Sequence, residues 1–142
     1  MVDRFVAAQT SETDAINVLA DELHNQVAVA TVKSGATTAW TAAEMLSGLI
    51  RQTGAHGALG ITTATAAALV ALMKNVQVGS QFTFAYQNVD DNTSTLTGGT
   101  GVTLVGTTAV PTNKTQLFRG VVTNKTAGAE AVSLYGLLYA PV

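Results

Sequence analysis

The chain has 142 residues and a net charge of −2, with only 11% charged side chains, no cysteine, and 23 Ala and 22 Thr. That length fits one compact core, and the missing cysteines exclude both a disulfide framework and a thiolate metal site. No clustered Lys/Arg footprint for nucleic acid and no apolar run of membrane-spanning length is present, so neither partner is expected.

Residues 1–24 carry Asp3, Glu12, Asp14, Asp21 and Glu22 against Arg4 alone, whereas the rest holds six bases and four acids. Within this acidic head, Ser11 or Thr13 can cap a helix whose Ala15, Ile16, Leu19, Ala20 and Leu23 share one face. The alternation from Val27 to Val32 then predicts a strand that stops at Lys33-Ser34-Gly35. The start lacks a basic and apolar leader pattern, which is expected of a protein made in a cytoplasm.

Thr41-Ala-Ala-Glu44 has capping-box spacing, and Met45, Leu46, Leu49 and Ile50 behind it predict a helix ending before Gly54. Gly54, Gly57 and Gly60 then mark a hinge or turn without the context of a phosphate loop. Thr63 or Thr65 caps a second helix carrying Ala68, Leu69, Leu72 and Met73, with Lys74 suited to its C-terminal dipole. Gln77-Val78-Gly79 breaks it.

Phe82, Phe84 and Tyr86 alternate with Thr83, Ala85 and Gln87, which predicts a strand with one buried aromatic face. Asp90-Asp91-Asn92 and Gly98–Gly101 bracket a Thr-rich strand, and Val102–Val105 is the expected return strand of a hairpin. The turns at Pro111 and Thr123 delimit a strand with Leu117, Arg119 and Val121 on one side and Phe118 and Val122 on the other. A last strand from about Glu130 to Tyr139 is apolar on both faces, which suits a central position or contact with a partner subunit, and Pro141 ends its pairing. The fold class expected is mainly β, an antiparallel, jelly-roll-like β-sandwich with one to three short helices in the N-terminal half. Residues 1–58 are expected to form an arm or helical segment for subunit or capsid contacts, and residues 59–142 the sandwich.

Groups able to do chemistry are scattered along the chain. His24 and His56 lack partners at metal-ligand spacing, and Asp90-Asp91-Asn92 lacks the alternate acids and following glycine of a calcium loop. Ser80 sits outside any nucleophile elbow, and Glu44, Asp90, Asp91 and Glu130 are the only carboxylates in the expected folded body. No catalytic residue, metal or cofactor is expected. Asn92, Asn113 and Asn124 lie in glycosylation-type triplets, read here as turn asparagines. Trp40 is either a subunit-contact anchor or a core plug, and Arg4 and Phe5 are candidate anchors in the leading arm.

Val78-Gly79-Ser80, Phe82, Phe84, Asn88, Gly99-Thr100-Gly101-Val102 and Gly106, followed by the final AVSLYGLLY, resemble a β-rich module of tailed-bacteriophage virion proteins, the capsid decoration or cement proteins among them. The resemblance covers roughly residues 61–139. It implies a virion protein, made in the host cytoplasm, that sits on the outer surface of the head as a homotrimer. Its partners would be its own copies and the major capsid protein, and it would hold coat subunits together. Interface residues expected on this reading are Arg4, Phe5, Trp40, Tyr135 and Tyr139. The alternative is a tail-fibre or appendage module in which Tyr86, Tyr135 or Tyr139 stacks on sugar rings. A small polysaccharide hydrolase using Glu44 and Glu130 is the third reading.

Overall fold

The computed structural model describes residues 31–141, with side chains as far as Leu137. In chain order the elements are β1 (Thr31–Lys33), α1 (Ala42–Leu46), β2 (Leu49–Gly54), β3 (Leu59–Thr62), α2 (Ala66–Leu72), β4 (Gln81–Asp90), β5 (Ser94–Thr97), β6 (Val102–Gly106), β7 (Ala109–Val110), β8 (Lys114–Asn124) and β9 (Ala131–Pro141). The strands form a six-stranded sheet in the order β1-β2-β4-β8-β9-β6 and a three-stranded sheet in the order β3-β5-β7. The chain is therefore mainly β, with both described helices short and in its N-terminal half. The predicted helix over Ala15–Leu23 and most of the strand from Val27 lie outside the described residues, and Thr31–Lys33 is the part of that strand that is seen.

The capping box forms as its spacing requires. Thr41 Oγ1 accepts from the Glu44 N–H, and the Thr41 N–H donates to Glu44 Oε2 at 2.8 Å. Lys33 Nζ, reaching from β1, lies 2.5 Å from Glu44 Oε1. Partial burial works to raise the Glu44 carboxyl, but the Lys33 ammonium and the Thr41 donors outweigh it and hold it below its ordinary value. The helix ends seven residues earlier than expected from a stop at Gly54. Ser47 Oγ donates to the Glu44 carbonyl, and Gly48 takes φ +98°, a conformation that favours glycine. Leu49–Gly54 is consequently β2, with Ile50 and Gln52 buried and Arg51 exposed. Apolar spacing at 45, 46, 49 and 50 fits both states, and a glycine decided between them.

In the second helix Thr65 is the cap, accepting from the Ala68 N–H, while Thr63 Oγ1 instead takes the Gly99 N–H. The stretch read as a three-glycine hinge runs at its end into β3, whose Leu59 and Ile61 are buried and which pairs in parallel with β5.

Two expectations about pairing are corrected. The sheets are mixed, because β1–β2, β2–β4, β3–β5 and β6–β9 are parallel pairs. Each of the parallel pairs is joined by a long connection holding other elements, where a tight turn is sterically impossible. The expected hairpin of β5 with β6 is also absent: β5 pairs with β3 and β7, and β6 crosses to the far edge of the large sheet beside β9. Gly98 to Gly101 thus carries the chain from one sheet to the other. At Gly101, φ is +77°, and a Cβ would stand 2.5 Å from the Glu130 carbonyl oxygen, so a glycine is required twice over.

The core lies on the inner face of the large sheet. Phe84 stacks on Phe118 with centroids 5.3 Å apart, and Trp40 packs edge-on against Phe84 and tilted against Tyr86. Met45, Ile50, Leu69, Val122 and Leu134 complete it. Because Trp40, Met45 and Ile50 are core residues, the expected boundary at residue 58 does not separate the described residues: 31–58 supply two strands and a helix to the same sheet and core.

Tyr86 links the sheets through a 2.7 Å hydrogen bond between its hydroxyl and Ser94 Oγ. Burial pushes the phenol up, the Ser94 bond opposes this, and nearby Asp90 adds to the rise, leaving it at about 12. Since the folded value exceeds the unfolded value of 10.0, the associated stability is present below pH 10 and is lost as pH rises toward 12. Tyr86→Phe should therefore flatten the alkaline limb of a stability profile over that window while costing about 1–2 kcal/mol at neutral pH through the lost bond. Denaturant titrations at pH 8, 10 and 11.5 check both parts, and an unchanged alkaline limb would assign it to another group.

Candidate interaction surface

A sheet strand sends alternate side chains to opposite faces, so burial of Phe84, Tyr86, Phe118, Val132 and Leu134 forces their neighbours outward. Registers then fix who meets whom. Thr83 stands opposite Arg119, Arg119 opposite Tyr135, and Tyr135 opposite Val105, making one row across β4, β8, β9 and β6. One step along, Leu49, Ala85 and Leu117 form a second row. Leu137 follows Tyr135 at the next outward position of β9, and at the other edge Val32 stands beside Arg51.

Val105, Leu117, Tyr135 and Leu137 on this face are each between 38% and 43% exposed, and Val32 is 57% exposed. Neither described helix covers them, because both contribute core residues to the opposite side. The charged members of the face are Arg51 and Arg119, and every outward position of its six strands lacks a carboxylate. A face on which Val105, Leu117, Tyr135 and Leu137 lie among threonines and glutamines such as Thr83, Gln87 and Thr103, with two arginines and no carboxylate, suits contact with another protein surface.

The residues considered for chemistry are spread out and locally employed. Asp90 is 1% exposed, and its Oδ1 accepts from the His56 and Asp91 N–H groups, pinning the loop between β2 and β3. His56 Nε2 stands 2.9 Å from the Ser34 carbonyl and 3.1 Å from that of Thr53. Asn92, whose Nδ2 donates to it, comes first among the groups that hold the Asp91 carboxyl below the usual range. Ser80 Oγ accepts from the Gln77 N–H, and Glu130 Oε2 accepts from the Gly128 N–H. Among the described residues no group of three or more His, Asp or Glu side chains is placed to hold a metal ion.

The chain matches no family model, no curated protein and no solved structure. Interpretation therefore rests on residues and geometry.

Of the expected interface residues, Tyr135 lies on the exposed face. Trp40 does not: it is 2% exposed, enclosed by Phe84, Tyr86 and Phe118, and serves as the core plug. Tyr139 stands in β9 opposite Gln116. Arg4 and Phe5 lie outside the described residues. Leu117, Arg119, Leu137 and Val105 were missed as surface candidates. The alternation in β8 and the doubly apolar β9 contained the signal, but only strand order brings those residues to a single face. Tyr86, offered for sugar stacking, is fully buried.

Proposed function

We propose that the protein is a non-enzymatic structural protein of a tailed-phage virion, a decoration or cement protein that binds the outer surface of the head as a homotrimer and braces neighbouring coat subunits. The observation carrying this reading is the outer face of the large sheet, which no other described element covers and where Leu117, Tyr135, Leu137 and Val105 share the surface with Arg119 and no outward strand position carries a carboxylate. Burying that face against another subunit removes apolar area from water, with Arg119 and Arg51 requiring acceptors from the partner to offset their desolvation, and many such weak contacts add up on a repeating lattice. The resemblance of residues 61–139 to phage virion modules points the same way, and on this reading the two sheets pack as a sandwich, although their parallel pairs depart from the jelly-roll pattern.

The test is the mass of the protein in solution together with its retention on purified phage shells. A trimer that sediments with shells is expected. A monomer that stays in the supernatant overturns the proposal. Tyr135, half-exposed beside Arg119, keeps sugar stacking on an appendage as the second reading, and binding to glycans in place of shells would select it.

A further inference from the structure

The outer face of the large sheet has two unlike halves. Leu117, Tyr135, Leu137 and Val105 stand on β8, β9 and β6, whereas β2 and β4 bring Arg51, Gln81, Thr83 and Gln87 to the same face. Arg119 lies where the halves meet, opposite Thr83, and Arg51 stands opposite Gln87. Gln81 and Thr83 also line an open groove of about 490 Å³, which carries the polar half past the start of β4 to Lys74. Arg51, Lys74 and Arg119, all exposed, thus border the outward edge of β4.

These three cations have no counter-charge among the described residues, where the one salt bridge joins Lys33 to Glu44. Lys125, by contrast, is held by Gln77. The described part of a second copy cannot supply the missing acceptors. Beyond residue 24 the carboxylates are Glu44, Asp90, Asp91 and Glu130. Glu44 is taken by Lys33, and Asp90 is buried. Asp91 accepts from Asn92 and Glu130 from the Gly128 N–H. Asp91 follows the end of β4 and Glu130 precedes β9, which runs in the same direction as β4, so the two lie at opposite ends of the sheet, roughly 30 Å apart or more.

Arg51 and Arg119 are two strands and four residues apart, about 16 Å between their Cα atoms. No small anion reaches both, yet both fit within the footprint of one protein–protein contact. Three cations on a chain of net charge −2 release too few counterions to hold a nucleic acid. We propose that the β2–β4–β8 half of the outer face, with Arg51, Lys74 and Arg119, docks on a carboxylate-bearing surface of a different protein, leaving the apolar half for contact between copies. The chemistry of that partner follows from the charges; only its identity as the coat subunit rests on the decoration-protein reading.

The test is the triple variant Arg51→Gln, Lys74→Gln, Arg119→Gln of the full chain, with Lys125→Gln as the control. The triple variant should keep the mass of the parent in solution and bind purified shells at least about tenfold more weakly. Added salt should weaken the parent and hardly affect the triple variant, and the control should behave as the parent does. Shell binding equal to that of the parent overturns the proposal while leaving the decoration reading intact. A triple variant that loses self-association overturns it too, by assigning the acceptors to a second copy. If the parent ignores shells, the decoration reading fails and poly-L-glutamate decides the proposal separately. It should shift the backbone amide resonances of Arg51, Thr83 and Arg119. Shifts elsewhere, no shifts, or equal shifts with duplex DNA of matched charge overturn the docking of an acidic protein surface.

Discussion

Replacing Leu117 and Tyr135 together by aspartate should abolish self-association and shell binding while leaving the thermal midpoint of the subunit nearly unchanged. Both side chains stand on the outer face, about two-fifths exposed, so their removal opens no cavity in the core. In an assembled state they would lie near the middle of the buried patch, where a few aromatic and apolar anchors carry most of the binding energy. Two carboxylates driven into that setting must be desolvated, and the adjacent Arg119 can neutralise only one of them. A weakening of at least about 100-fold, roughly 2.7 kcal/mol, is the expected effect. Sedimentation of the parent and the variant over a concentration series reads it directly. Val78→Asp, at a more exposed position (62%) in the turn before β4 and off the strands of this face, is the control and should associate like the parent. If the double variant keeps its mass and its shell binding, the outer face is not the contact surface and the proposed mode of attachment fails with it.

The contrast between what was legible in the residues and what was not follows from the range over which each signal acts. Capping at Thr41 and Thr65, the aromatic alternation of β4 and the two-sidedness of β8 depend on neighbours a few residues away, and all of them are found where their spacing put them. Pairing partners are another matter. A run such as Val102–Val105 after a glycine-rich turn has the local chemistry of a hairpin return strand, and nothing within it states that the chain instead crosses to pair with residues 132–136. The same limit explains β2: Leu49 and Ile50 satisfy helical spacing, and the competing preference is visible only once Gly48 has turned the chain and β4 is there to receive it. The candidate surface shows both ranges at once. That β9 is apolar on two sides could be read directly, and it marked Tyr135. That Leu117, Arg119 and Val105 join Tyr135 in one patch required the order β4-β8-β9-β6, which no periodicity encodes. For Trp40 the sequence supplied two roles, and the tertiary enclosure by three aromatic rings selected one.

Adjacent positions in β8 provide the sharpest check on which face is inside. Phe118→Ala should destabilise the protein by about 3–5 kcal/mol, because it removes a ring that is 1% exposed, stacked on Phe84 and touched by the edge of Trp40, and the surrounding strands cannot collapse into the space. For a domain whose whole stability is of the order of 5–15 kcal/mol, that loss lowers the thermal midpoint by roughly 10–25 °C. Leu117→Ala, one residue earlier on the same strand, should change the isolated subunit by no more than about 0.5 kcal/mol, since its side chain already stands partly in water. Its effect should appear instead in association, where the lost apolar area counts only once a partner covers it. Denaturant midpoints of the two variants, measured at a concentration too low for assembly, separate the contributions. Equal destabilisation at 117 and 118 would mean that both faces of β8 are enclosed within one subunit, and the outer face would then have no free surface to offer a neighbour.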